Sequence, residues 1–308
     1  MNHLGRYKSI DKIVAVWTSF FNDEVFYVPA LGFVYPSDNS VKKFLIDVLK
    51  NSETNRFLPY DGNKRWFQKK TEKIILSAIV ANDKEIYIPV KDSFKNVLKI
   101  FYYSKKSLNN TTLTKVKKIY IKIKNAQRVD NLRLQCFKKP KIKTEFICHN
   151  IYLKNITPSD NLVKSSKEIH YYNELSSKTQ STFSNLGKGS ELEGFDFLWK
   201  EFIIKNKKLN PIICATSKKR IVGAIGPLDI LNDAWGVPFL LPPYFGVADK
   251  MRRMGIGKKL WKAAMNFAYQ KGVKYTLVQN ISNSPAARFY KKQGLSNMGK
   301  IYSRLLIK

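Results

Sequence analysis

The chain has 308 residues, 44% hydrophobic and 13% aromatic, with 55 Lys and Arg against 23 Asp and Glu for a formal net charge of +32. That length suits one large domain or two ordinary ones, and that apolar content excludes a disordered chain. The charge attracts polyanions and anionic cofactors, yet only 10 of the 55 basic residues are Arg, the residue nucleic-acid readers use for bidentate contacts, and Lys, Asn and Ile enrichment matches the residue usage of an AT-rich genome.

In chain order, SIDKIVAVWTSFFN places Ile10, Ile13, Val14, Trp17, Phe20 and Phe21 on one helical face. EVFYVPALGFVY reads as extended. NSVKKFLIDVLKNS reads as a helix capped by Asn39 or Ser40, with Val41, Phe44, Leu45, Val48 and Leu49 as its apolar stripe. EKIILSAIVA and KEIYIPVK read as strands across Asn82-Asp83, a weaker turn signal than Asn-Gly. KDSFKNVLKIFYYSKKS reads as a helix. KKIYIKIKN alternates Ile119, Ile121 and Ile123 with Lys118, Tyr120, Lys122 and Lys124, which predicts a half-buried strand with a solvated Lys face; a basic face for an acidic partner is the alternative.

FKKPKIK, residues 137–143, is the best linker, dividing residues 1–140 from 141–308. Beyond it, KTEFICHNIYLKNI reads as a strand, and NLVKSSKEIHYYNELSSK and FDFLWKEFIIKNKK as helices separated by Gly187, Gly189 and Ser190. PIICATSKK and RIVGAIGPLDI form a hairpin turning at Ser217–Lys219, and VPFLLPPYFGVAD is strand-like, its edge broken by Pro242 and Pro243. GKKLWKAAMNFAYQKG is a helix closed by Gly272, VKYTLVQNI a strand, SPAARFYKKQG a short helix and MGKIYSRLLIK a final strand or strand pair. This mixture calls for a mixed α/β fold with helices on a largely antiparallel sheet.

Cys136, Cys148 and Cys214 lack metal-ligand spacing and are odd in number for a disulfide framework; His3, His149 and His170 are far apart. We expect no metal and a reduced, cytoplasmic compartment. The N-terminus has no apolar run behind its charges, and the longest apolar stretch, Val25 to Tyr35, contains Pro29 and is too short for a bilayer, so no membrane association is expected.

Residues 246–260 can be tested against phosphate-binding patterns. A P-loop needs Gly where Arg252 stands and Ser or Thr where Lys259 stands. A dinucleotide fingerprint needs a third Gly where Leu260 stands. What remains is Arg-x-x-Gly-x-Gly, Arg252, Gly255 and Gly257, between a strand and a helix. Unpaired N–H groups at such a helix start favour an anion, glycines let it approach the backbone, and Arg252, Arg253, Lys258 and Lys259 add charge.

This stretch resembles the cofactor motif of the GNAT superfamily of acyl-CoA-dependent acyltransferases, with Val247 at the Val five residues before the Arg. The family's second block, Asn-x-x-Ala-x-x-Phe-Tyr-x-x-x-Gly-Phe, is matched by Asn283, Ala286, Phe289, Tyr290 and Gly294, with Leu295 in place of the final Phe. Ser284 can cap that helix, Pro285 sits at its first position and Gly294 stops it. The resemblance is tight over residues 237–295 and extends loosely to 142–308.

The resemblance implies a GNAT-like sheet flanked by helices over residues 141–308, with strand four splayed from strand five to admit acetyl-CoA. The pantetheine arm would pair with Phe245, Gly246 and Val247. The pyrophosphate would sit on the amides of Arg253, Met254, Gly255, Ile256, Gly257 and Lys258 beside Arg252, and Asn283 would hold the pantetheine or the helix start. An acceptor amine would attack the thioester directly, and Tyr290 would protonate the departing thiolate. Asp229, Asp233 and His170 are candidates for a general base, a relayed water being the alternative, and Asp249 is read as a structural cap.

The expected activity is N-acetylation of a small amine-bearing molecule. A protein amine is the alternative acceptor, and a non-catalytic basic protein binding nucleic acid on this scaffold is the runner-up. DKIVAVWTSFFNDEVFYV resembles the first helix of GNAT domains in tandem enzymes such as mycothiol synthase, but residues 1–140 carry neither motif. They are either a degenerate GNAT-like domain without cofactor or an unrelated α/β domain.

Overall fold

The computed structural model describes residues 9–20, 26–28, 32–34, 41–53, 72–92, 96–161, 167–188, 211–233 and 235–307. In chain order these form α1 (Ile10–Thr18), β1 (Phe26–Val28), β2 (Gly32–Val34), α2 (Val41–Glu53), β3 (Glu72–Ile74), β4 (Val80–Asn82), β5 (Glu85–Asp92) and β6 (Val97–Ser104). Next come α3 (Asn110–Gln127), β7 (Asn131–Cys136), β8 (Ile147–Asn155), β9 (Ile169–Tyr171), α4 (Ser177–Gln180), α5 (Phe183–Lys188), β10 (Ile213–Ser217) and β11 (Arg220–Gly226). The remainder is β12 (Ile230–Asn232), β13 (Pro238–Leu240), β14 (Tyr244–Val247), α6 (Ile256–Gln270), β15 (Tyr275–Ile281), α7 (Pro285–Lys292) and β16 (Ser296–Ile307). Two compact units result: residues 1–152 with 279–292 and 296–308, and residues 153–278 with 293–295.

In the first unit the strands run in the order β16-β7-β6-β5-β3, with β4 also on β5. β6 and β7 are parallel, from Val97 opposite Asn131 to Tyr102 opposite Cys136. A parallel pair needs a crossover, and α3 supplies it. Val116, Ile119 and Tyr120 of α3 pack with Tyr87, Leu98, Ile100, Leu132 and Leu134 of the strands. Asn109 caps α3 by accepting from the Thr112 N–H at 3.0 Å, and Arg128 ends it in the left-handed region at φ 51°. On α1, Ser9 is the cap and Trp17 is fully buried, edge-on to Tyr103 at 5.7 Å.

The second unit contains an antiparallel sheet in the order β14-β11-β10-β9, so β14 lies at one edge. Separately, β12 pairs with β13, and β13 pairs in parallel with β15, Phe239 opposite Tyr275. Helix α6 buries Leu260, Trp261, Ala264, Met265 and Ala268, a helical stripe, and contacts β9, β10, β11 and β14. Gly223 on β11 makes that approach feasible. A Cβ there would stand 3.1 Å from the Gly246 carbonyl oxygen, 3.1 Å from Leu260 Cδ1 and 3.2 Å from Val247 Cγ2. The β10–β11 turn is Lys218-Lys219, both left-handed (φ 47° and 60°), the two-residue geometry that matches strand twist.

The mixed α/β architecture agrees with the sequence reading, but four elements differ. KKIYIKIKN is not a strand; it is the second half of α3. Its Ile residues alternate, yet Val116, Ile119, Tyr120 and Ile123 also recur at helical spacing, and the helix leaves Ile121 63% exposed. The segment expected as a helix at 91–107 holds strand β6, whose Leu98, Ile100, Phe101, Tyr102 and Tyr103 are buried between β5 and β7. NLVKSSKEIHYYNELSSK is not one helix: its Ile169–Tyr171 pairs with β10, and the Glu174 carboxylate accepts from the Tyr171 N–H at 3.1 Å to start a short turn. Within EKIILSAIVA, a 3-10 turn at Leu76–Ala78 separates β3 from β4. The expected helix FDFLWKEFIIKNKK and the Asn39 or Ser40 cap lie outside the described residues.

Candidate functional site

In the second unit, β14 carries Phe245, Gly246 and Val247 and pairs on one side with β11, Ala224 opposite Gly246. Its other side has no strand partner among the described residues. β14 and β15 follow one another across α6 but belong to different sheets, so among the described residues no strand covers the second edge of β14. Phe245 also meets Trp261 of α6, ring centroids 6.1 Å apart.

Between β14 and α6 the chain makes a 3-10 turn over Asp249–Met251. The Arg252 guanidinium is turned back onto this loop. Its Nε donates to the Val247 carbonyl at 3.0 Å, and its second terminal nitrogen pairs with Asp249 at 2.9 Å. Arg252, expected among the anion ligands, therefore fastens the loop to the end of β14, and Asp249 is its partner. Arg253 (φ 66°) and Gly255 (φ 78°) are left-handed on either side of Met254, whose side chain is 63% exposed. Nothing lies within 4 Å of where a Gly255 Cβ would be, so glycine is required there by backbone conformation.

Ile256 is buried and roots the start of α6, while Gly257 is half-buried in its first turn. First-turn amides have no intrahelical acceptor. The exposed side chains of Arg253 and Lys258 have no acidic partner among the described residues, whereas Lys259 pairs with Glu168. An open edge strand, left-handed residues re-aiming the backbone, first-turn amides and two cations form a cradle that fits a pantetheine arm and its phosphates.

Asn283 and Tyr290 belong to the first unit. Asn283 is left-handed, φ 64°, a conformation Asn tolerates. Ser284 accepts from the Ala287 N–H at 3.2 Å, the cap expected of it. Tyr290 is 8% exposed on α7, its ring 6.0 Å from Tyr152 and 5.7 Å from Phe289. Burial pushes its hydroxyl up to about 12.

Of the candidate bases, Asp233 is engaged by the Trp235 and Val237 amides, each at 2.9 Å, and by the Tyr275 hydroxyl at 2.7 Å. It is a turn-forming residue. His170 lies on β9, at the far edge of the sheet from β14. Asp229 precedes β12, and its carbonyl accepts from the Leu241 N–H at 2.9 Å. Sequence reasoning missed Gly223, whose only signal was a Gly inside a strand pattern. It also missed the Lys259–Glu168 pair, which no local pattern marks. Among the described residues no cluster of His, Cys, Asp and Glu is placed to hold a metal ion, and no helix is long and apolar enough to cross a membrane.

Residues 177–295 match the Acetyltransferase (GNAT) family. That segment is a GNAT acetyltransferase region, of a class of enzymes that take an acyl-CoA donor and an acceptor and act as acetyl-CoA-dependent N-acetyltransferases. No protein of curated function matches the chain in sequence. Among solved structures, a GNAT-family acetyltransferase from Colwellia psychrerythraea is 14% identical, with 86% of this chain and 97% of that one covered and a TM-score of 0.48. A GCN5-related N-acetyltransferase from Sphaerobacter thermophilus is 12% identical, with 73% and 81% covered and a TM-score of 0.46. A tandem GNAT protein from the clavulanic acid biosynthesis pathway is 7% identical, with 92% and 98% covered and a TM-score of 0.46.

Proposed function

We propose that the protein transfers an acetyl group from acetyl-CoA to a primary amine of a small molecule. The observation that carries this reading is the β14–α6 junction, a strand edge with no second strand on it among the described residues, leading into a left-handed turn and a basic helix start. Acetyl-CoA would supply an acyl group activated as a thioester. The backbone of Phe245, Gly246 and Val247 would align the pantetheine arm, and the amides from Arg253 to Lys258 would hold the pyrophosphate. Arg252 would act by fixing the loop. Asn283 would set the start of α7, and Tyr290 would donate a hydrogen bond to the departing sulfur.

We also propose that residues 1–140 form a GNAT-like half without a cofactor. The strand–helix–strand unit β6-α3-β7 parallels β14-α6-β15, but β6 and β7 are hydrogen-bonded along their length, which leaves no gap between them for a pantetheine arm.

The test is calorimetric titration with acetyl-CoA at low and at moderate salt. One saturable site that persists at moderate salt is expected. Heat that vanishes with salt, matched by nucleic-acid binding of steep salt dependence, would favour the runner-up that the +32 charge supports. Gly255→Val, which forces a β-branched residue to φ 78° at a cost of about 1–3 kcal/mol, should abolish the site, and Gly255→Asn should retain most of it. Unchanged affinity in the Val variant sinks the assignment.

A further inference from the structure

A pocket of about 340 Å³ lies in the first unit; its described lining residues fall between 77 and 123 and include none from either family motif. This volume falls within the range of small-molecule sites, about 300–1,000 Å³. One wall is aliphatic: Ile79 and Val80 from the 3-10 turn and β4, with Ile119 and Ile123 from α3. Lys115, Lys118 and Lys122 line it from the same helix, at spacings of three and four that put them on one face.

The charge at this pocket is uneven. Lys115 pairs with Glu85, whose carboxylate also accepts from the Tyr87 hydroxyl at 2.9 Å and the Tyr102 hydroxyl at 3.3 Å. Glu85 is thereby neutralised and spent within the protein. Lys118 and Lys122 are exposed and have no acidic partner among the described residues. Two cations beside an aliphatic cavity, with the nearby carboxylate already paired, form a complement to a molecule with an apolar body and an anionic head.

We propose that this pocket binds a small amphipathic anion, its aliphatic part against Ile79, Val80, Ile119 and Ile123 and its head between Lys118 and Lys122. The pocket shares no residue with the proposed acetyl-CoA cradle, and the proposal does not depend on that cradle. The alternating Ile and Lys of KKIYIKIKN, wound into a helix, supply both halves of the complementarity.

The test uses the full chain and two probes of equal chain length, decanoate and decyltrimethylammonium. Saturable decanoate binding is expected, with slowed amide exchange confined to residues 76–80 and 113–124, and decyltrimethylammonium should bind at least tenfold more weakly. Lys118→Gln combined with Lys122→Gln, two exposed changes that leave the core untouched, should weaken decanoate about tenfold. Filling the cavity with Ala78→Phe should remove protection, and the exchange map of the unaltered chain stands independently if that variant folds poorly. Equal affinity for the two probes, protection elsewhere, or an unchanged affinity in the double Lys variant would overturn the proposal. So would full displacement of decanoate by an oligonucleotide with no protection at 76–80, which would make the lysines a general polyanion surface.

Discussion

Tyr290 and Arg252 show how much a residue's surroundings add to its motif. A buried phenol at about 12 stands roughly 3.5 pK units above a thiol of about 8.5, so it does not surrender its proton to a free thiolate. In the proposed reaction it would stay protonated and stabilise the departing sulfur as a hydrogen-bond donor while negative charge develops there. Tyr290→Phe keeps the ring beside Tyr152 and Phe289 and removes that donor. The expected outcome is a fall in kcat of about 100-fold or more with acetyl-CoA affinity unchanged, measured by steady-state kinetics and titration. The hydroxyl also leaves a signature in stability. Above pH 10 the unfolded chain loses this proton while the folded chain keeps it until about 12, so the folded state binds more protons and stability falls as pH rises through that window. The fall amounts to roughly 1 kcal/mol per pH unit, and the Phe variant should lack this share of it in urea titrations at pH 9 to 11. Arg252, by contrast, reads from its motif as an anion ligand, yet its guanidinium is held by the Val247 carbonyl and Asp249.

At the scale of elements, what was legible was what local chemistry dictates. The Gly255 turn, the Ser284 cap with Pro285 behind it, and the Gly272 stop, left-handed at φ 72°, are each set by a few adjacent residues. The mistaken elements are those where two periods fit the same letters. Around α3, Ile119, Ile121 and Ile123 satisfy the strand period, while Val116, Ile119, Tyr120 and Ile123 satisfy the helical one. The choice falls to the parallel β6–β7 pairing, which needs a crossover between them. β6 fails in the opposite sense: its apolar residues fit a helix, but burial on both faces between β5 and β7 decides for a strand. The helix in α3 is testable by substitution. Ile119 is 7% exposed and Ile121 63% exposed. Ile119→Ala should cost about 2–4 kcal/mol, while Ile121→Lys should stay within about 0.5 kcal/mol of the parent, both read from urea midpoints at constant slope. Similar large costs at the two positions would restore the strand.

At the scale of the whole molecule, the decisive pairing is one that no local window contains. β16 lies antiparallel on β7, Tyr302 opposite Cys136 and Arg304 opposite Leu134, so the end of the chain completes a sheet begun near its start. Arg304 reinforces this by donating to the Glu145 carbonyl, and Ser282 does so through its N–H to the Cys148 carbonyl at 2.7 Å and its hydroxyl to Asn150 at 2.9 Å. A break in composition such as FKKPKIK marks where the chain is locally polar, and it carries no information about which distant strands will pair. The first unit therefore draws on residues 279–292 and 296–308 as well as 1–152. A fragment of residues 1–152 lacks the strand that covers β7, and a strand left with unpaired backbone groups and an apolar face favours association with other chains. We expect that fragment to lack fixed tertiary structure or to self-associate, and the same fragment joined through a flexible linker to residues 279–308 to recover it, as judged by near-ultraviolet circular dichroism and sedimentation. A monomeric, cooperatively unfolding 1–152 fragment would show that the pairing with β16 adds little. Recovery on adding 279–308 would show that unit to be specified jointly by residues 1–152 and 279–308, through a ladder that only the distant strand completes.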